Sequence, residues 1–443
     1  MRVTDLSLLD FRNYRGAEVS FAPGLNLVIG RNGQGKTNLV EAIAYFASLD
    51  SHRVSGDAAL IRAGCETAVV RMRIAARDRE VLLEVQLNRG RPNRAQVNRN
   101  GVKPRELMRW FSTVVFAPED LSIVRGDPSR RRSFLDEAVV ARNPAFAGVL
   151  SDFERVLRQR TSLLKSARGS GSRTALDATL GVWDDQLVEH GTRIMVARRR
   201  LVRELAAPLR ESYSALVRED HGPLASVTES VYEVLGQGSV SRETSTGAVA
   251  GPGSDVSRET LAADYRAALE AVRGREFERA VTLVGPHRDD LSLELNGLPV
   301  KGYASHGESW SFALALRLAL ARLLREESPA GDPVLILDDV FAELDARRRS
   351  RLMDAVAGFE QVIVTAAVED DVPADFGWRR IRIKGGAVVG ADADPDSAAG
   401  GSLDGAADGV VGGALGGVTG SGATRAGVAE GSEGVDIEAE VEP

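Results

Sequence analysis

A phosphate-binding loop near one end of this chain and its acidic partner strand near the other bracket most of the sequence. Gly30-Arg31-Asn32-Gly33-Gln34-Gly35-Lys36-Thr37 satisfies G-x-x-x-x-G-K-[ST]. It follows an apolar run at 25–29 and leads into Leu39, Val40, Ile43 and Phe46 at helical spacing, the strand–loop–helix context the motif needs. The aliphatic run Val334-Leu335-Ile336-Leu337 ends in Asp338-Asp339, and Asp338 lies 302 residues beyond Lys36. One nucleotide site made from both requires an α/β fold assembled from the two ends of the chain. The residues between are carried by that site.

The loop glycines let the backbone curl until its N–H groups point at phosphate oxygens beside a helix N-terminus. Lys36 is expected to reach the β- and γ-phosphates of ATP and to share in catalysis, and the Thr37 hydroxyl to ligate Mg²⁺. Asp338 is placed to hold that ion or its water shell, and Asp339 to orient or deprotonate the attacking water. Asp339 is a methylene shorter than the Glu usual in related ATPases, which implies slow hydrolysis. The plainer readings are a glycine turn before a helix and a pair of aspartates closing a strand.

No apolar run approaches the ~20 residues of a membrane span, the first residues do not begin a secretory signal, and the lone Cys65 excludes an internal disulfide. The expected place is the cytoplasm, at the nucleoid if DNA is the partner. The net charge of −7 is unevenly spread: residues 391–443 hold eleven acids and one base, which leaves residues 1–390 at +3. A faintly basic body permits a nucleic-acid surface without requiring one.

Residues 1–125 read as sheet around the first helix, with strands at 6–11, 17–21, 25–29, 69–75 and 81–88. A turn is expected at Arg99-Asn100-Gly101 and a buried strand at 114–116, stopped by Pro118. Residues 126–235 turn helical: Phe146, Leu150, Phe153 and Leu157, then Leu180, Leu187, Ile194, Leu201 and Leu205, recur at helical spacing. That pattern predicts an antiparallel arm of two helices joined at 168–172. Residues 236–260 are low in complexity and repeat Val-Ser-Arg-Glu-Thr at 240–244 and 256–260, for which packing gives no reason. One reading is a palindrome of about 14 bases in the gene, suited to a two-fold symmetric dimer and resembling chromosome-partitioning centromere sites; local duplication and chance are the others. Residues 261–390 should complete the head, with strands at 281–284, 380–383 and 387–389, and 391–443 should be a disordered acidic tail that competes with DNA for the basic surface.

Ser305-His306-Gly307-Glu308 opens the helical pattern Phe312, Leu316, Leu320 and Leu323. Alone it is a capping box. Ahead of the acidic strand it also resembles the ABC signature, whose serine and helix N-terminus bind the γ-phosphate held by a second subunit; the two readings are compatible. Phe341-Ala342-Glu343-Leu344-Asp345 resembles the D-loop that crosses such a dimer interface, although Asp345 is equally suited to cap the next helix. Thr365 sits where a switch residue would sense the γ-phosphate.

Taken in order, these motifs resemble the RecF family, recombination-repair ATPases of bacteria. The resemblance runs over most of residues 1–390: LSLLDFRNY (6–14), the phosphate loop, APEDL (117–121), GDPSRRRSFLD (126–136), GPHRDDL (285–291), SHGE (305–308) and LDDVFAELD (337–345). It implies an ABC-type head of two lobes with a short helical arm inserted. ATP would join two heads into a homodimer, each nucleotide held between one subunit's Gly30 to Thr37 and the other's Ser305, Gly307 and Asp345. It further implies a DNA-binding protein that acts with RecR and RecO to load RecA at single-strand gaps or duplex boundaries, with slow hydrolysis resetting the dimer. His306 and Glu308 stand where many relatives carry glutamines, which adds charge near the γ-phosphate.

Arg130, Arg131 and Arg132, with Arg198, Arg199 and Arg200 on the arm, are the candidates for DNA phosphate contacts; a solvated helix face is the alternative. The low aromatic content, 5%, does not advertise stacking on single strands and favours duplex backbone in the groove between joined heads. His287 and Arg288 are expected to serve the structure of the head. A transporter ATPase would place its signature and acidic strand much closer to the loop. A chromosome-organising ATPase would need long heptad arms and a hinge.

Overall fold

The computed structural model describes residues 1–51, 53–54, 56–77, 79–167, 173–236, 257–328, 330–374 and 376–391, all within one unit, Met1–Asp394. The arm turn at 168–172, the first copy of the repeated pentapeptide and the tail from 392 onward lie outside the described residues.

The two ends of the chain meet in a six-stranded sheet. Its order is Ala387–Ala391, Arg379–Lys384, Gly24–Ile29, Gln361–Ala366, Val334–Asp338 and Thr113–Phe116, parallel except for the hairpin strand at 387–391. Parallel strands are covered on both faces and therefore read as unbroken aliphatic runs. Here Val334 and Ile336 enter one core while Leu335 and Leu337 enter the other. A second, antiparallel sheet runs Tyr14–Ser20, Arg2–Phe11, Thr67–Ala76, Arg79–Asn88, Arg94–Val97 and Asn100–Val102. The helix Lys36–Ser48 lies between the two sheets: Leu39, Ile43 and Phe46 share a core with Leu6, Val70 and Leu83 on one side and Val28, Ile336 and Ile363 on the other.

The opposite face of the parallel sheet is covered by helices Pro128–Arg142, His306–Glu327 and Ala346–Val356. His306–Glu327 is buried around nearly its whole circumference, as expected of a helix that is apolar all round. Two arm helices, Phe146–Ala167 and the 45-residue Arg173–Val217, occupy the predicted positions. At 1.5 Å per residue the longer one spans about 68 Å. Its Leu187 and Ile194 pack in the arm, while Leu201, Leu205 and Leu209 pack in the head with Phe312 and Leu316. One rod thus connects the arm to the helix that begins at Ser305.

A third helix, Arg258–Arg279, joins the arm through Leu261, Tyr265, Leu269 and Val272. Its first turn uses the second copy of the repeat. Ser257 is the N-cap and its Oγ accepts from the Thr260 N–H at 3.2 Å. That copy therefore has a folding role, and residues 258–260 belong to a helix rather than to the low-complexity linker.

The strand expected at 281–284 does not form. Val284 is buried, but side chains replace a ladder: the Leu283 N–H donates to Glu276 Oε1 (2.8 Å), the Gly285 N–H to Ser230 Oγ (2.9 Å), and Arg288 donates to the Thr282 carbonyl (3.0 Å). Burial pushes His287 down to about 4 and Asp289 up to about 7. Asp289 Oδ1 accepts from the Ser230 N–H and hydroxyl at 2.9 and 3.0 Å, while Oδ2 has no partner among the described residues. A carboxyl with a raised folded pKa contributes stability below its ordinary value, and that contribution is lost as pH rises through the folded value. Asp289→Asn should therefore unfold at higher urea than the parent at pH 8, by on the order of 2–4 kcal/mol, with the gap shrinking toward pH 5. His287 acts in the opposite sense between about 4 and its ordinary value, so the difference between the two proteins isolates Asp289.

Candidate nucleotide site

The phosphate loop is held from outside by the segment Phe11-Arg12-Asn13-Tyr14. Asn13 Nδ2 donates to the Gln34 carbonyl (3.1 Å), the Tyr14 hydroxyl to the Gly35 carbonyl (3.0 Å), and Arg12 bridges both carboxylate oxygens of the buried Glu41 on the following helix (2.6 and 2.8 Å). Gly35 has φ +117°, and a Cβ there would lie 2.9 Å from both Asn13 Nδ2 and Tyr14 Oη. Glycine is therefore required for two reasons. With those carbonyls turned outward onto Asn13 and Tyr14, other loop N–H groups are left for an anion, while those of Gly30 and Gln34 donate to the Ala366 and Arg31 carbonyls. Lys36 is buried, its Nζ 3.2 Å from Asn32 Oδ1. The supporting role of Arg12, Asn13 and Tyr14 was not read from the sequence; their signal was the polar pair Arg12-Asn13 at the turn between two strands.

Across the sheet, Asp338 ends its strand beside the loop. Thr37 Oγ1 lies 3.3 Å from Asp338 Oδ1, and the Thr365 hydroxyl donates to the same oxygen at 2.5 Å. Oxygens in adjacent octahedral positions around Mg²⁺, each ~2.1 Å from it, lie about 3 Å apart. One hydroxyl and one carboxylate at this separation fit that ion, which completes its shell with water and phosphate oxygens. Thr365 is fully buried and its Oγ1 also accepts from the Asp339 N–H at 3.0 Å. It therefore sits behind the two aspartates and positions them, instead of facing a γ-phosphate. Asp339 has φ +51°, a left-handed conformation that Asp and Asn tolerate better than other side chains.

Ser305 forms a complete capping box: its Oγ accepts from the Glu308 N–H (3.2 Å), and Glu308 Oε2 accepts from the Ser305 N–H (2.7 Å). The Glu308 carboxyl is held below its usual range, chiefly by the hydrogen bond with Ser305. Its charge is thus turned back onto the cap. The Ser305 hydroxyl proton and the N–H groups of His306 and Gly307 remain for an anion. A Cβ at Gly307 would fall 2.3 Å from Arg348 Nη1, so this glycine lets a guanidinium lie against the helix end. Arg348 was missed in the sequence, where it stood as one of three arginines after Asp345. Asp345 caps its own helix, Oδ1 accepting from the Arg348 N–H at 2.9 Å. Among the described residues, the polar contacts of residues 305–308 beyond their own helix run to Arg125, His221 and Glu343 and not to the phosphate loop. Loop and signature of one chain do not close on each other.

Most of the arginines expected at DNA are engaged inside the protein. Arg131 and Arg198 are buried; each grips a carboxylate with two hydrogen bonds, Asp290 (2.6 and 2.8 Å) and Asp136 (2.9 and 2.8 Å) respectively. Arg199 pairs with Glu229 and lies 5.2 Å over the Tyr232 ring, and Arg132 donates to the Asp289 carbonyl at 2.8 Å. Only Arg130 and Arg200 are exposed, and Arg200 pairs with Glu204.

Comparison with known proteins agrees with this architecture. A family described as RecF/RecN/SMC N terminal domain matches residues 2–374. A DNA replication and repair protein RecF from Leifsonia xyli subsp. xyli is 56% identical over 391 residues, covering 88% of this chain and 99% of the relative. Its counterpart from Streptomyces avermitilis is 49% identical over 394 residues, covering 88% and 99%. A solved structure of the recombination mediator protein RecF with ATPrS, in the RecFOR pathway, superposes with a TM-score of 0.75 at 28% identity, covering 87% of this chain and 97% of that one. With its loop and acidic strand brought together on one α/β head, this chain belongs to the RecF family.

Proposed function

We propose that this protein is an ATP-gated DNA clamp of recombinational repair and replication restart. Lys36 and the loop N–H groups hold the ATP phosphates, Thr37 and Asp338 hold Mg²⁺, and Asp339 directs the attacking water. Ser305, Gly307 and Asp345 of a second copy close over the γ-phosphate, so that ATP joins two heads around duplex DNA near a single-strand gap. Hydrolysis, slow because the base is a short aspartate, releases the clamp. In cells it would act in the cytoplasm, at the nucleoid, with RecR and RecO to load RecA. The observation that carries the reading is that Thr37 of the loop meets Asp338 of the acidic strand, while the contacts of the helix end at Ser305 run to Arg125, His221 and Glu343 and not to the loop. A site divided in this way is completed by a second copy.

The test is fluorescence-anisotropy binding to a gapped duplex at fixed salt with Mg²⁺. Tight binding is expected with ATP and weak binding without it. Lys36→Ala and Ser305→Arg should each abolish the ATP-dependent part. Equal affinity with and without nucleotide would contradict the clamp.

A further inference from the structure

The antiparallel sheet ends in a hairpin of unbalanced charge. Residues 89–110 hold seven cations and a single acid, Glu106. In the middle of the same sheet arginines are neutralised across strands: Arg71 pairs with Glu84, and Arg73 with Glu80 (3.5 Å) and Asp5 (3.6 Å). At the edge they are not. Arg89 donates to the Cys65 carbonyl and Arg91 to Asn88 Oδ1. Arg94, Arg99, Lys103, Arg105 and Arg109 are exposed with no carboxylate partner among the described residues.

The local fold gathers these cations. Ala95 and Val97 of the strand Arg94–Val97 are buried, so the pleat places Arg94 on the outer face. Asn98 and Arg99 both have positive φ, 49° and 66°, as in a tight two-residue hairpin turn, which puts Arg99 at the tip. The short helix Pro104–Arg109 carries Arg105 and Arg109 and packs both on that strand and on the phosphate-loop helix. Trp110 follows it and is 42% exposed, whereas Trp310 and Trp378 are buried. An exposed indole among unpaired cations is the combination that single-stranded nucleic acid recognises, by stacking on the ring and by its charge.

We propose that this sheet edge is a nucleic-acid docking surface, in which Arg94, Arg99, Lys103, Arg105 and Arg109 hold phosphodiester backbone and Trp110 stacks on an unpaired base at the gap. The proposal rests on the DNA-clamp reading and assigns its contact surface. Because the short helix touches the phosphate-loop helix, the surface lies one packing step from the nucleotide.

The full-length triple variant R94Q/R99Q/R105Q tests it, by anisotropy on a gapped duplex across a salt series with ATP. Affinity should fall ~10- to 100-fold at low salt, and the slope of log K on log salt should lessen by about 3. DNA-independent ATP hydrolysis should match the parent, which also reports folding. K103Q/R109Q should shift the slope in the same direction and serves if the triple variant does not fold. Trp110→Ala should remove the preference for gapped over continuous duplex. If the parent binds DNA and the variants keep its salt slope, the surface is wrong while the clamp stands, and the patch is left for an acidic protein partner. If the parent binds no DNA under any nucleotide condition, the clamp reading and this surface fall together.

Discussion

Asp339→Asn is expected to bind ATP as the parent does and to hydrolyse it ~10²–10⁴-fold more slowly. The substitution is nearly isosteric, and Asn tolerates the left-handed backbone that position 339 adopts at φ +51°. The Thr365 contact with the 339 N–H, 3.0 Å, is a backbone contact and survives. Lys36, Thr37 and Asp338 keep their places, so on their proposed roles phosphate and Mg²⁺ binding should be unchanged. What is lost is the carboxylate proposed to accept a proton from water. Phosphate release under single-turnover conditions, beside a fluorescent-ATP titration, separates the two. A parent-like rate would remove Asp339 from the role of base.

Arg160→Ala is expected to destabilise the protein by about 3–5 kcal/mol, the penalty of leaving the buried Glu276 carboxylate without its cation, while Asp184 keeps Arg273. Arg160 is fully buried and donates to Asp184 (2.6 Å), Glu276 (2.6 Å) and Thr282 (2.9 Å). These contacts fasten Phe146–Ala167 to the long helix Arg173–Val217 and to Arg258–Arg279. Burial alone would lower the guanidinium's pKa, but its bonds to Glu276 and Asp184 raise it above the usual value. Urea unfolding should show the loss, and R160M/E276Q should recover much of it, because it leaves no charge unpaired: the amide at 276 can still accept from the Leu283 N–H and Asp184 keeps Arg273. A parent-like midpoint for Arg160→Ala would show that the network does not hold the arm together.

The meeting of phosphate loop and acidic strand was legible in the sequence because its motifs are local. A glycine at 35 with positive φ, a lysine and a threonine at fixed spacing, and an aspartate ending an aliphatic run each act within a few residues of the backbone that positions them. The proposed DNA surface was not legible in the same way. Runs of three arginines at 130–132 and 198–200 drew attention, yet successive helical residues are about 100° apart, so a triplet spreads around the helix and one member turns inward. Arg131 finds Asp290, 159 residues away, and Arg198 finds Asp136, 62 away. Such partners are fixed only by the tertiary fold. The cations of 89–110 are scattered in the sequence, and a hairpin and a short helix gather them at one edge. Residues 281–284 misled for a related reason: Thr282 and Val284 are buried in alternation with half-buried Val281 and Leu283, as in a strand, but Glu276, Ser230 and Arg288 satisfy the backbone. The helix Arg258–Arg279 had a readable signal in Leu261, Tyr265, Leu269, Val272 and Glu276, masked by the low-complexity sequence before it.

The central claim is that ATP is shared between two heads, and sedimentation velocity of the hydrolysis-deficient Asp339→Asn protein tests it most directly. With ATP and Mg²⁺ the protein should sediment as a dimer, and with ADP or no nucleotide as a monomer. Adding Ser305→Arg should return it to monomer while ATP still binds. A species that stays monomeric with ATP bound, or a dimer indifferent to Ser305→Arg, would contradict the shared site.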